Sequence, residues 1–153
     1  MKLRYAVFAL ISILLFNITP IQTAAAPEYR TELTNEEWAI QNPPLENIEI
    51  DSSDAMVLAT NQFNWSIASG VTKKSSTALS LEVNEVVTIN ATFSPTNSSV
   101  DFGLIAPDGS FYYSRTTGGN FKKSIQVDQT GKYYLAIRNN SSDPVRVMGF
   151  IYY

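Results

Sequence analysis

Two residue types are missing altogether from this chain: histidine and cysteine. The first absence removes the commonest general base and the commonest transition-metal ligand. The second removes thiolate chemistry, thiolate-bound zinc and disulfides. Charged residues are scarce as well, at 16%, whereas apolar residues are as frequent as in an ordinary globular domain. The chain is therefore apolar enough to build a core and is not a disordered polymer. Small exported eukaryotic domains commonly carry disulfides, so a cysteine-free one points to a bacterial source. No metal site and no cofactor are expected.

What is present begins with a sorting signal. Met1-Lys2-Leu3-Arg4 is short and positive, and Tyr5 to Phe16 is apolar but for Ser12. Asn17, Thr19, Pro20 and the small-residue run Thr23-Ala24-Ala25-Ala26 follow. That is the order of a secretory signal peptide, predicted over 1–25 with the cut after Ala25. An apolar core of roughly 12 residues is shorter than the roughly 20 a membrane span needs, so no stable anchor is expected after cleavage. The mature protein is expected in the medium or at the cell wall.

Residues 26–55 form an acidic lead segment. Glu28, Glu32, Glu36, Glu37, Glu46, Glu49, Asp51 and Asp54 face a single cation, Arg30. Thr34-Asn35-Glu36-Glu37-Trp38 has the cap and first-turn acids of a short helix, and Pro43-Pro44 stops it. The segment reads as a solvated linker, or as an arm docked by Trp38 and Ile40. The charge asymmetry also suits a mask over a weakly basic face.

From Met56 the apolar period becomes two. Phe63, Trp65 and Ile67 alternate with Asn64 and Ser66, and Val87, Ile89, Ala91 and Phe93 alternate with Thr88, Asn90 and Thr92. Similar runs continue to Tyr153, each bounded by Gly, Pro, Asn, Asp or Ser. This predicts an all-β domain over 56–153, an antiparallel β-sandwich of jelly-roll or Greek-key type with about eight strands. No apolar stripe with a 3.6-residue period appears, which excludes a helical or α/β fold.

Asp128-x-x-Gly131-x-Tyr133 has the pattern of a tyrosine corner, in which the hydroxyl ties back to nearby backbone. Its role is structural. Gly131-Lys132-Tyr133-Tyr134-Leu135-Ala136-Ile137-Arg138-Asn139 resembles the G-x-Y-Y-L-x-V-x-N strand of bacterial pre-peptidase C-terminal domains. The resemblance extends over roughly Leu79 to Tyr153 and implies a secreted jelly-roll module of the kind found beside proteases and other exported enzymes. The acidic calcium-ligand cluster of some members has no counterpart here.

No catalytic set is visible. Asp101, Asp108, Asp128 and Asp143 lie in or beside strand connections, where Asp stabilises turns. Asp51-Ser52-Ser53-Asp54 lacks the spacing of a calcium loop. Lys122 and Lys123 fall short of the basic stripe that nucleic acid requires, and suit a protected sheet edge. Asn64, Asn90, Asn97, Asn139 and Asn140 head glycosylation sequons that matter only in a eukaryotic secretory pathway.

The candidate ligand contacts are Tyr112, Tyr134 and Tyr152. They face outward if Tyr133, Leu135 and Ile137, and likewise Tyr113 and Tyr153, face inward, and they could stack on a sugar ring or a peptide. Ordinary cross-strand pairing, or cover for the lead arm, accounts for such tyrosines better, because tyrosines are common in sheets. The sequence is thus read as a non-enzymatic exported binding or accessory module for an extracellular carbohydrate or protein. One rival is a toxin or inhibitor masked by its acidic arm. Another is a hydrolase that relies on carboxylates alone.

Overall fold

The computed structural model describes residues 38–51 and 61–153. The expected signal peptide, the early part of the acidic segment and the helix start at 34–37 lie outside the described residues. Within them the chain forms eleven strands and no helix. These are β1 (Ala39–Gln41), β2 (Ile48–Asp51), β3 (Gln62–Ile67), β4 (Thr72–Ser75), β5 (Leu79–Leu81), β6 (Val86–Ser94), β7 (Val100–Ile105), β8 (Phe111–Thr116), β9 (Asn120–Gln126), β10 (Gly131–Asn139) and β11 (Val145–Tyr152).

The strands make two sheets. The larger runs β1-β8-β7-β10-β4-β2, with β5 also paired to β10, and the smaller runs β3-β11-β6-β9. All pairs are antiparallel except β2 with β4. From β5 onward only β7 and β8 are joined within one sheet; every other connection crosses between the two.

Two-residue periodicity explains the sandwich. In β3, Phe63, Trp65 and Ile67 are buried while Gln62, Asn64 and Ser66 are exposed. The inward side chains of both sheets meet in one cluster, which includes Phe93, Phe102, Phe121, Leu135, Ile137, Val147 and Ile151. Phe102 of β7 stacks on Phe121 of β9 at 4.5 Å, directly across the two sheets. Burying one such aromatic side chain contributes about 2 kcal/mol, and the ring pairing adds about 1 kcal/mol.

The connections follow from their residues. In the β7–β8 turn the Asp108 carboxylate accepts from the Ser110 amide at 2.9 Å, and Gly109 takes the positive φ of 87°. Before β10, the Tyr133 hydroxyl donates to the Gln129 carbonyl at 2.9 Å. Burial, with the nearby Asp128 carboxylate, pushes the Tyr133 phenol up to about 12.

Eleven strands replace the expected eight or so. The additional ones are β1, β2 and β4. Thr72-Lys73-Lys74-Ser75 has no apolar alternation; its place in the sheet comes from backbone pairing to Arg138–Ala136 on one side and to β2 on the other.

β1 and β2 lie at opposite edges of the large sheet. The chain between them crosses the sheet's outer face, where Leu45 packs with Ile105, Phe111, Ala136, Tyr113 and Tyr134. Trp38, just before β1, packs edge-on to Phe121 and donates its indole N–H to the Ser124 carbonyl at 3.2 Å. The described part of the acidic segment is thus built into the sheet.

Beneath that cover, every residue of β7 is buried. Its outward residues include Asp101, which is wholly removed from water. Arg115 reaches the Asp101 carboxylate at 2.7 and 3.1 Å, and Arg138 at 2.9 and 2.7 Å. Arg138 also donates to the Gln41 side chain and lies 4.8 Å from the centre of the Tyr113 ring. Burial raises the Asp101 carboxyl. Hydrogen bonds from Arg115, Arg138 and Asn140 outweigh it and hold the group below the usual carboxylate range.

A carboxyl with a folded pKa below its unfolded value, about 3.9, stabilises the fold above that value. Its contribution is lost as pH falls from there through the lower folded pKa. Asp101→Asn should therefore destabilise the domain by about 3 kcal/mol at neutral pH, at the low end for breaking a buried pair because Arg115 is half in water. The difference between variant and parent in urea unfolding should shrink below about pH 3.9. An unchanged difference down to the acid limit would show that the ion pairs are not its source.

Candidate functional site

The three candidate tyrosines do not share a surface. Tyr112 of β8 packs against the inter-sheet core. It lines a crevice of only about 20 Å³ with Leu104, Ile125, Asp128 and Tyr133. Burial raises its phenol, and Asp128 and Asp108 add to the effect. Tyr134 lies on the outer face of the large sheet beside Ile105, Phe111 and Ala136, with the Lys74 ammonium 4.1 Å from its ring centre. Tyr152 is on the small sheet and exposed.

The expected phase is reversed at β8. Tyr113 was expected inward and Tyr112 outward; instead Tyr113 stacks on Phe111 at 5.1 Å on the outer face, and Tyr112 turns to the core. Both faces of this strand are apolar because the strap covers the outer one, so hydrophobicity alone could not set the phase. Tyr153, expected inward, is exposed just beyond the end of β11.

Two residues absent from the sequence reading complete the surface around Tyr152. β11 is an inner strand of the small sheet, and its outward residues are Arg146, Met148, Phe150 and Tyr152. Met148 is 45% exposed, Phe150 38% and Tyr152 53%. The rings of Phe150 and Tyr152 are nearly parallel, with centroids 6.3 Å apart. The signal was available: the even positions from Met148 to Tyr152 are apolar, as well as the odd ones.

Strand register places polar side chains on both flanks of this ridge. Phe150 stands between Gln62 and Asn90, with Lys122 beyond Asn90. Met148 stands between Asn64 and Thr92, with Asn120 beyond. Tyr152 is opposite Thr88, whose hydroxyl is 2.7 Å from that of Ser124. Arg146 lies between Ser66 and Ser94 and donates its Nε–H to the Asn64 amide oxygen at 3.3 Å.

Two shallow depressions flank Met148. One of about 140 Å³ is bounded by Thr92, Ser94 and Arg146, and one of about 200 Å³ by Gln62, Asn90 and Phe150. None of the four strands carries an Asp or Glu. Among the described residues no three His, Cys, Asp or Glu side chains converge as a metal site would need. The face offers apolar contact, amide and hydroxyl hydrogen bonding, and positive charge.

No family model matches the chain, and no curated protein matches it by sequence. Its fold is similar to two solved bacterial domains. One is PliG of Aeromonas hydrophila, a periplasmic inhibitor of g-type lysozyme; it has 16% identity, coverage of 69% of this chain and 98% of that one, and a TM-score of 0.45. The other is the pre-peptidase C-terminal domain of a Bacillus anthracis collagenase; it has 14% identity, coverage of 73% and 100%, and a TM-score of 0.47. The second is the kind of domain that the Gly131–Asn139 strand resembles. No helix among the described residues is long and apolar enough to cross a membrane.

The ridge sits on a strand held close to its neighbour. A Cβ added at Gly149 would stand 2.4 Å from the Asn90 carbonyl oxygen. Gly149→Ala should therefore cost about 2 kcal/mol through forced strand displacement. Phe150→Ser, one residue on, should change stability by no more than about 0.5 kcal/mol. Urea unfolding of the two variants checks the contrast. A large loss from Phe150→Ser would make the ridge part of the fold's own packing.

Proposed function

We propose that this chain is an exported, non-enzymatic binding module of a bacterial envelope or medium, and that the Met148–Phe150–Tyr152 ridge is its contact surface. One observation carries the reading. An inner strand of a sheet whose other outward residues are almost all polar keeps a row of three large apolar side chains in water. Scattered exposed apolar residues are normal, but a contiguous row with a polar margin is how contact surfaces are built.

Cross-strand pairing does not account for the row. Met148, Phe150 and Tyr152 stand opposite Thr92, Asn90 and Thr88, and none faces an aromatic or branched apolar partner. The acidic segment has a different use. Its described residues cover the large sheet, and removing them uncovers Ile105 and Phe111.

The test uses the mature chain, residues 26–153, immobilised and exposed to the culture supernatant and cell-wall fractions of its own host. The double variant Phe150→Ala/Tyr152→Ala should lose capture by about 30-fold or more, as expected when about 2 kcal/mol of contact is removed. Its unfolding midpoint should stay unchanged. Tyr112→Ala and Tyr134→Ala should leave the affinity of well-folded protein intact. Undiminished capture by the double variant would refute the assignment.

A further inference from the structure

We propose that the partner of this face is an acidic protein surface. The inference rests on the reading of the ridge as a contact surface and adds what that surface meets.

Charge is the first argument. The small sheet contributes Lys122 and Arg146 to its exposed face and not one carboxylate. Lys122 lies in the same cross-strand row as Phe150, and Arg146 is the next outward residue before Met148. The two cations therefore flank the apolar ridge on different sides. A partner burying the ridge must meet both, and unmatched charges at a desolvated margin oppose binding. The partner that matches carries Asp or Glu at those margins.

Residue type is the second argument. Arg, Met, Phe and Tyr are the residues enriched in protein interfaces, where Asp and Glu are depleted. All four stand in one outward row of β11. Met148, at the centre between the two depressions, has a flexible, polarisable side chain that adapts to an irregular apolar surface. A sugar ring stacked through its C–H face would use only the two aromatic rings and would leave Met148 and Arg146 without a matching contact.

Charge also disfavours a second copy of this chain. Two such faces pressed together bring four cations and no anion into one interface. Size sets the class of complex. Four strands of 6, 9, 7 and 8 residues, spaced about 4.8 Å apart, give a face of roughly 500 Å². This is below the roughly 800 Å² per partner of a standard stable interface and suits a transient complex.

The experiment splits the host's secreted proteins by anion exchange into an acidic and a basic pool. Immobilised mature chain is exposed to each pool, to purified cell-wall glycan, and to free mature chain. Capture should come from the acidic pool and weaken about tenfold or more in about 1 M salt, where screening acts over about 3 Å. Lys122→Glu/Arg146→Glu should weaken it by about tenfold or more, while Lys122→Arg/Arg146→Lys should retain it. Capture from the acidic pool that survives both the charge reversal and salt would overturn the inference. So would retention on glycan, capture only from the basic pool, or self-association through the ridge.

Failures at the two levels separate cleanly. Binding lost in Phe150→Ala/Tyr152→Ala but insensitive to charge reversal leaves the contact surface standing and removes the acidic partner. Binding insensitive to both removes both, as does the absence of any capture.

Discussion

Strand β7 is buried on both faces, and much of the molecule is arranged around that constraint. Its inward residues, Val100, Phe102 and Leu104, demand a second sheet, and Phe121 answers Phe102 from across the core. Its outward residues, Asp101, Gly103 and Ile105, demand a cover that one sheet on the other side cannot supply. The chain provides it from the acidic segment. Leu45 packs on the cluster of Ile105, Phe111 and Ala136, Arg115 and Arg138 hold Asp101, and Gln41 accepts a hydrogen bond from Arg138. A buried carboxylate without those guanidinium groups would cost several kcal/mol, so the ion pairs and the apolar cover depend on one another.

The two outer faces therefore have different fates. The large sheet is wide, and its outer side is apolar enough at Ile105, Phe111 and Ala136 to need its own strap. The small sheet keeps its outer side in water, with amide and hydroxyl groups along three strands and an apolar row on the fourth. Stability and the proposed contact surface are thus divided between the sheets. Changes in the Asp101 network act on folding, whereas changes at Phe150 and Tyr152 act on a surface with little share in the core.

The residues explain why some of this was readable and some was not. Strands with one wet face announce themselves, as Gln62–Ile67 does through strict alternation. Short strands do not: Thr72–Ser75, between β10 and β2, and Ala39–Gln41, at an edge, are placed by backbone pairing, which leaves no hydrophobic signature. The tyrosines fail for a related reason. At Phe111-Tyr112-Tyr113 every side chain is apolar enough for either face, and the phase follows from a strap whose contacts are remote in sequence. Only Tyr152, of the three tyrosines singled out, lies on the proposed contact surface.

By itself the sequence determined the chemistry the chain cannot perform through histidine or cysteine, the β class, the alternation of the long strands and the tyrosine turn before β10. All of these depend on residue type or on neighbours a few positions apart. The covering of one sheet, the assembly of Asp101 with Arg115 and Arg138, and the row of Met148, Phe150 and Tyr152 on an open face were decided only by tertiary structure. Each depends on which strands become neighbours and in what register, and a two-residue period fixes only which residues share a face, not which strand lies alongside.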